Sequence, residues 1–228
     1  MSEKLLSRIE LKDNVPAAAL RAVLMPDHQA VRAATSHHLI WTLFADSADR
    51  VRDFLWREHK PGLFYVLSDR PPLDRHGLFE VMPPKEFAPA LSPGDELTFE
   101  MRVNATVSRN GGPGVRGKPC DIVMDAIHHS PIASRAESRD AVVVDAANQW
   151  MMRQGEKHGF APGHVQVHGY SVLSLDRGRM KQRARLGVLD LSGRIIVKDS
   201  SALLHAIAAG FGRGKAFGCG LMMVRRAH

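Results

Sequence analysis

His37 and His38 are the residues of this 228-residue chain best suited to move protons near neutral pH. They fall in a stretch, residues 28–46, whose face-forming positions recur at helical spacing: Ala33, Ser36, Ile40, Leu43 and Phe44. With Ile40 at the centre of that face, His37 sits about 60° away and His38 about 160° away, at roughly 100° per residue. A border position lets packing fix an imidazole that still reaches a substrate, so His37 is the first candidate for a general acid or base. Ser36 points into the apolar stripe, which argues against a Ser/His nucleophilic pair; Ser36 and His38 are secondary candidates. The same spacing also fits an amphipathic histidine with no catalytic role.

Near the other end, Gly210, Gly212, Gly214, Gly218 and Gly220 interleave with Arg213 and Lys215. Glycine has no Cβ, so backbone N–H groups can approach a phosphate and positive φ becomes accessible. A helix is expected before this loop, at residues 200–209, and a strand after it, at 221–224. That order is the reverse of a Walker loop, and Gly214-Lys215-Ala216 lacks its Ser or Thr. A dinucleotide fingerprint likewise needs the strand first. The segment reads as a glycine-rich loop of another type, suited to a polyanion; a loose surface loop has the same composition. Arg177, Arg179, Lys181, Arg183 and Arg185 occupy alternate positions. On a strand they would line one face over about 26 Å. Such a stripe repels itself unless a polyanion neutralises it, or else it is a solvated basic edge. It also argues against a small nucleotide as the ligand, which needs fewer cations.

Metal chemistry finds little support. His164 and His168 would share a strand face with His158 nearby, but no cysteine or His-Glu-x-x-His accompanies them and no carboxylates cluster. No metal and no cofactor are expected. A metal-independent nuclease uses the RNA's own 2′-OH as nucleophile. A general base takes its proton, an acid protonates the departing 5′-oxygen and cations stabilise the phosphorane.

These residues need a frame. The balance of 31 basic against 24 acidic residues gives +7, compatible with nucleic acid as partner. No apolar run approaches the ~18 residues of a membrane span. The first residues lack a signal-peptide core, and Cys120 and Cys219 lie far apart, so a reducing cytoplasm is expected. Strands are expected at 4–12, 51–58, 62–69 and 96–107, with the helix after the first, which reads as a ferredoxin-like α+β unit with its second helix reduced. Residues 108–118 form a cationic glycine-rich loop, and 121–140 read ambiguously and hold the link. A helix at 141–158, strands at 164–175, 177–191 and 194–198, the 200–209 helix and the last strand make a second α+β unit of similar order.

Several segments together resemble the CasE family of repeat-processing endoribonucleases of type I-E CRISPR systems. They are His37-His-Leu-Ile-Trp41-Thr-Leu-Phe44, Arg52-Asp-Phe-Leu-Trp56, Phe99-Glu-Met-Arg-Val-Asn104, Gly117-Lys118 and Gly193-Arg-Ile-Ile-Val-Lys-Asp199. The most specific is Gly210-Phe-Gly-Arg-Gly-Lys-Ala-Phe-Gly-Cys-Gly-Leu221. The resemblance implies two tandem ferredoxin-like (RRM-like) domains, placed here at residues 1–130 and 131–228. It implies metal-independent cutting of the CRISPR repeat RNA hairpin at its base, leaving a 2′,3′-cyclic phosphate, with the product retained among the other Cascade subunits. It makes His37 the catalytic histidine. Arg102, Lys118, Arg213 and Lys215 would contact RNA, with the 177–185 cations along the hairpin. One position departs: the family's Tyr three residues before the histidine is Ala34 here. The helper is then Ser36, His38 or a lysine from elsewhere, or cleavage is slow, or the chain is a non-catalytic RNA-binding subunit.

Overall fold

The computed structural model describes residues 3–13, 23–45, 51–109, 117–129, 139–175 and 184–227. The chain builds two antiparallel sheets. The first contains β1 (Leu5–Leu11), β2 (Phe54–Lys60), β3 (Leu63–Ser68) and β4 (Phe79–Val81), in the order β2-β3-β1-β4. A two-residue β5 (Lys85–Glu86) pairs antiparallel with the start of β1. Alternation decides the faces: Ser7, Ile9 and Leu11 of β1 are buried, and the residues between them are only partly so. Helix α1 (Gln29–Thr42) lays Leu39 and Ile40 on this sheet, and Leu43 and Phe44 just beyond it complete the contact with Ile9, Phe54, Trp56, Phe64 and Val66. No helix joins β3 to β4, as the reduced second helix of the sequence reading requires.

The second sheet contains β6 (Glu96–Val103), β9 (Phe160–Leu175), β10 (Ala184–Val197) and β11 (Met222–Arg226), in the order β11-β6-β10-β9. Helices α3 (Arg139–His158) and α4 (Ser200–Ala209) occupy its two crossovers. In chain order within each unit, both sheets read fourth, first, third, second, which is the ferredoxin-like arrangement. The strand expected to close the first unit therefore opens the second: β6 pairs with β10 and β11. Hydrogen bonding changes sheet between Glu86 and Glu96, not near residue 130.

Other differences have local causes. The expected 96–107 strand breaks after Val103. Thr106–Arg109 (β7) pairs instead with Lys118–Asp121 (β8) in a separate ribbon. Residues 122–129, unassigned by periodicity, form helix α2 (Ile122–His129) because the Asp121 carboxylate caps it, accepting the Val123 and Met124 N–H groups at 3.0 Å. Within the described residues, the two strands expected at 177–191 and 194–198 join as one, Ala184–Val197, with register shifts near Asp190 and Gly193; residues 177–183 lie outside the described residues. Asp199 starts α4 in the same way, accepting the Ala202 N–H at 3.0 Å.

The cores are continuous. Leu55 and Leu67, on the face of β2 and β3 turned away from α1, pack into the second unit's cluster with Phe99, Met101, Trp150 and Met151. Among the described residues no helix is long and apolar enough to cross a membrane.

Candidate functional site

Helix α1 places its residues as the helical wheel requires: Ile40 and Ser36 are fully buried, His37 is partly buried and His38 is exposed. One turn on, the Trp41 indole N–H donates to His37 Nε2 at 3.2 Å. An indole only donates, so Nε2 is the acceptor and the proton of a neutral imidazole sits on Nδ1. That Nδ1 is buried without a hydrogen-bond partner among the described residues. His37 is pulled down to about 4, first by burial and then by the charges of His38 and Arg52. At neutral pH it is therefore an uncharged base whose lone pair is occupied by Trp41.

The opposite wall is the glycine-rich loop. All five of its glycines have positive φ. A Cβ at Gly218 would stand 2.9 Å from the Trp56 ring, and one at Gly212 would stand 2.5 Å from the Asn104 carbonyl. The loop is thus a packed object, not a loose one. Several of its N–H groups are spent internally: Phe211 donates to Gly220, Arg213 to Asn104, Phe217 to Gly214 and Gly220 to Arg102. Its glycines serve this close packing and these turns. A 3-10 turn, Lys215–Phe217, leans on α1, and the Phe217 ring lies 6.4 Å from the His37 ring. Ala30 and Ala33 of α1 meet Leu173, Leu186, Val188, Phe217 and Cys219 in one apolar cluster. The helix of the first unit is in this way seated on the hairpin and loop of the second.

Lys215 arrives at this seam with its ammonium donating to the Ala209 carbonyl at the end of α4, at 2.6 Å. Its pKa is lowered, first by burial and then by Arg52. Arg52 itself is partly buried, and burial lowers its pKa too. The field of Arg52 therefore reaches both His37 and Lys215. Sequence reading overlooked Arg52, Trp41 and Asn104, although all three stand in the family-like segments. Asn104 is buried and ties the start of the loop to β10, donating to the Gly187 carbonyl at 2.6 Å.

The remaining predicted contacts divide. Lys118, Arg185 and Arg213 are exposed. Arg102 is not: its side chain is 17% exposed, faces Asp190 at 3.8 Å, and its carbonyl holds Gly220. It braces the loop from beneath. Arg177, Arg179, Lys181 and Arg183 lie outside the described residues. His168 pairs with the Ser192 hydroxyl at 2.7 Å. Among the described residues no three His, Cys, Asp or Glu side chains group so as to hold a metal ion. A cleft of about 500 Å³ lies between the sheets around Arg57, Phe99, His164 and Arg194, and His37 is not part of its lining.

The same arrangement of two sheets occurs in solved structures. A structure of CRISPR endoribonuclease Cse3 bound to a 19-nucleotide RNA superposes with a TM-score of 0.68 at 24% identity, covering 99% of each chain. Thermus thermophilus Cse3, bound to an RNA representing a pre-cleavage complex, gives 0.66 at 23%, over 98% of this chain and 99% of that one. Cas6e from Escherichia coli gives 0.62 at 18%, over 98% and 100%. No curated protein matches the chain. At these identities the structures establish a shared fold. The family described as CRISPR associated protein matches residues 5–226, nearly the full length, and the chain belongs to that family.

Proposed function

We propose that this protein is a metal-independent endoribonuclease that binds the CRISPR repeat hairpin and cuts at its base. The observation that carries the reading is the seam itself, where a neutral, desolvated His37 faces a loop that brings in Lys215. His37 Nε2 takes the proton of the 2′-OH as the 2′-oxygen–phosphorus bond forms. The phosphorus–5′-oxygen bond breaks, and Lys215, its pKa lowered by burial and by Arg52, supplies the proton to the 5′-oxygen. The products are a 2′,3′-cyclic phosphate and a 5′-OH. Lys215 takes the helper role that Ala34 leaves empty. RNA must displace the Trp41 N–H from His37 before the base is free, and its phosphate raises the His37 pKa toward working pH. Lys118, Arg185 and Arg213 position the hairpin backbone without reading sequence. The product stays bound with other Cascade subunits in the cytoplasm.

The test is cleavage of end-labelled repeat RNA in excess EDTA by the protein and by His37→Ala. One cut below the hairpin, ending in a cyclic phosphate and slowed roughly 10²–10⁴-fold in the variant, is expected. Tight binding with no cut would favour a non-catalytic RNA-binding subunit, for which the loss of the Tyr at Ala34 and the occupied lone pair of His37 both speak.

A further inference from the structure

We propose that Arg52 is a catalytic residue whose guanidinium contacts a non-bridging oxygen of the scissile phosphate and holds the charge that builds there. The proposal rests on the endoribonuclease reading above. Arg52 stands just before β2, and β2 is wedged between the two walls of the seam. The Phe54 ring lies 5.2 Å from that of Trp41, the residue bonded to His37. Leu55 and the Lys215 side chain both close on Gly210, where a Cβ would stand 2.9 Å and 3.2 Å from them. Trp56 fills the space over Gly218.

The pairing of the arginines sets this one apart. Arg8, Arg32, Arg57, Arg70 and Arg102 are partly buried like Arg52, and each has a carboxylate oxygen within 3.8 Å. Among the described residues no carboxylate pairs with Arg52. Its neighbour Asp53 is taken by Arg70 at 2.6 Å. A partly desolvated cation without a counter-ion is unfavourable in the free protein, and a bound phosphate removes that cost. The field that Arg52 exerts on His37 and Lys215 agrees with this placement. As the 2′-oxygen–phosphorus bond forms, the non-bridging oxygens gain charge, and a planar fork of donors suits them. Protons move only through His37 and Lys215; Arg52 stays charged throughout.

Single-turnover cleavage of repeat RNA by saturating protein decides the matter, with Arg52→Ala, Arg52→Lys and His37→Ala in parallel. Arg52→Ala is expected to slow cleavage roughly 10²–10³-fold while RNA affinity changes only several-fold. Its thermal midpoint should be unchanged or raised, since no ion pair is lost, and Arg52→Lys should restore part of the rate. One phosphorothioate diastereomer at the scissile position should be cut slowly by the wild type, and Arg52→Ala should lose that preference. A wild-type rate in Arg52→Ala, or slow cleavage with the preference intact, overturns the proposal and leaves the nuclease standing. A wild-type protein that binds repeat RNA and cuts nothing overturns both.

Discussion

The two ferredoxin-like units share a strand order and differ in what covers them. The second keeps both crossover helices, and its sheet is closed over Trp150 and Met151. The first keeps only α1, and that helix serves two surfaces at once. Leu39 and Ile40 cover its own sheet, while Ala30 and Ala33 sit on the second unit's hairpin and glycine loop. His37 falls at the boundary between these faces. A helix committed to one sheet turns its remaining surface to water. This one ends between two walls, where an imidazole is desolvated yet close to cations from elsewhere in the chain. The environment of His37 is thus a property of the seam between the units.

That contrast can be broken from the second unit's interior. Trp150 is buried at 2% exposure, and Trp150→Ala is expected to cost about 3–5 kcal/mol. Because Leu55 and Leu67 share this core, urea should unfold the variant in one earlier transition rather than melt one unit alone. Two separated transitions would mean that the units are energetically independent.

Gly218→Ala probes the seam with less damage to the core. Its φ of 74° disfavours a side chain, and the new Cβ would press on Trp56. A loss of about 1–3 kcal/mol is expected from strain and overpacking. The cleavage rate of the folded variant should fall further than its RNA affinity, because Phe217 and Lys215 shift relative to His37. Equal losses in rate and affinity would show that the loop binds RNA without orienting it for chemistry.

Acid gives the mildest perturbation. His37 titrates near 4 when folded and near 6.5 in the unfolded chain. Between those values the unfolded state binds more protons, so stability should fall as pH drops from 6.5 toward 4. His158, lowered mainly by burial, acts in the same direction in the second unit. Urea midpoints at pH 7 and pH 5 measure the sum, and His37→Ala should flatten part of the slope. An unchanged slope would place His37 in a more solvated setting than the seam provides.

Much of this was legible in the chain. Period-two alternation in Leu5–Leu11 marks a strand that buries one side of its pleat, and the short apolar run Leu63–Ser68 marks one buried on both sides. Helical spacing put His37 at the border of an apolar face, and that is where it lies. Other features lacked a local signal. Helix α2 depends on one capping carboxylate ahead of a β-branched start, which periodicity does not register. The strand at Glu96–Val103 alternates equally well in either sheet, and only pairing with β10 and β11 assigns it. The loop glycines were expected to clear space for phosphate. They also clear it for Trp56 and for the backbone of Asn104, and nothing in their spacing separates the two uses.

The sequence by itself determined the strands, the helix bearing His37, the glycine-rich segment and the basic balance, since these follow from patterns within a few residues. Tertiary structure alone decided which sheet each strand joins, that Arg102 faces a carboxylate while Arg52 meets none among the described residues, and that His37 is held neutral beside Trp41. Those properties depend on desolvation and on charges from segments far apart in the chain, and they exist only once the two units have closed on each other.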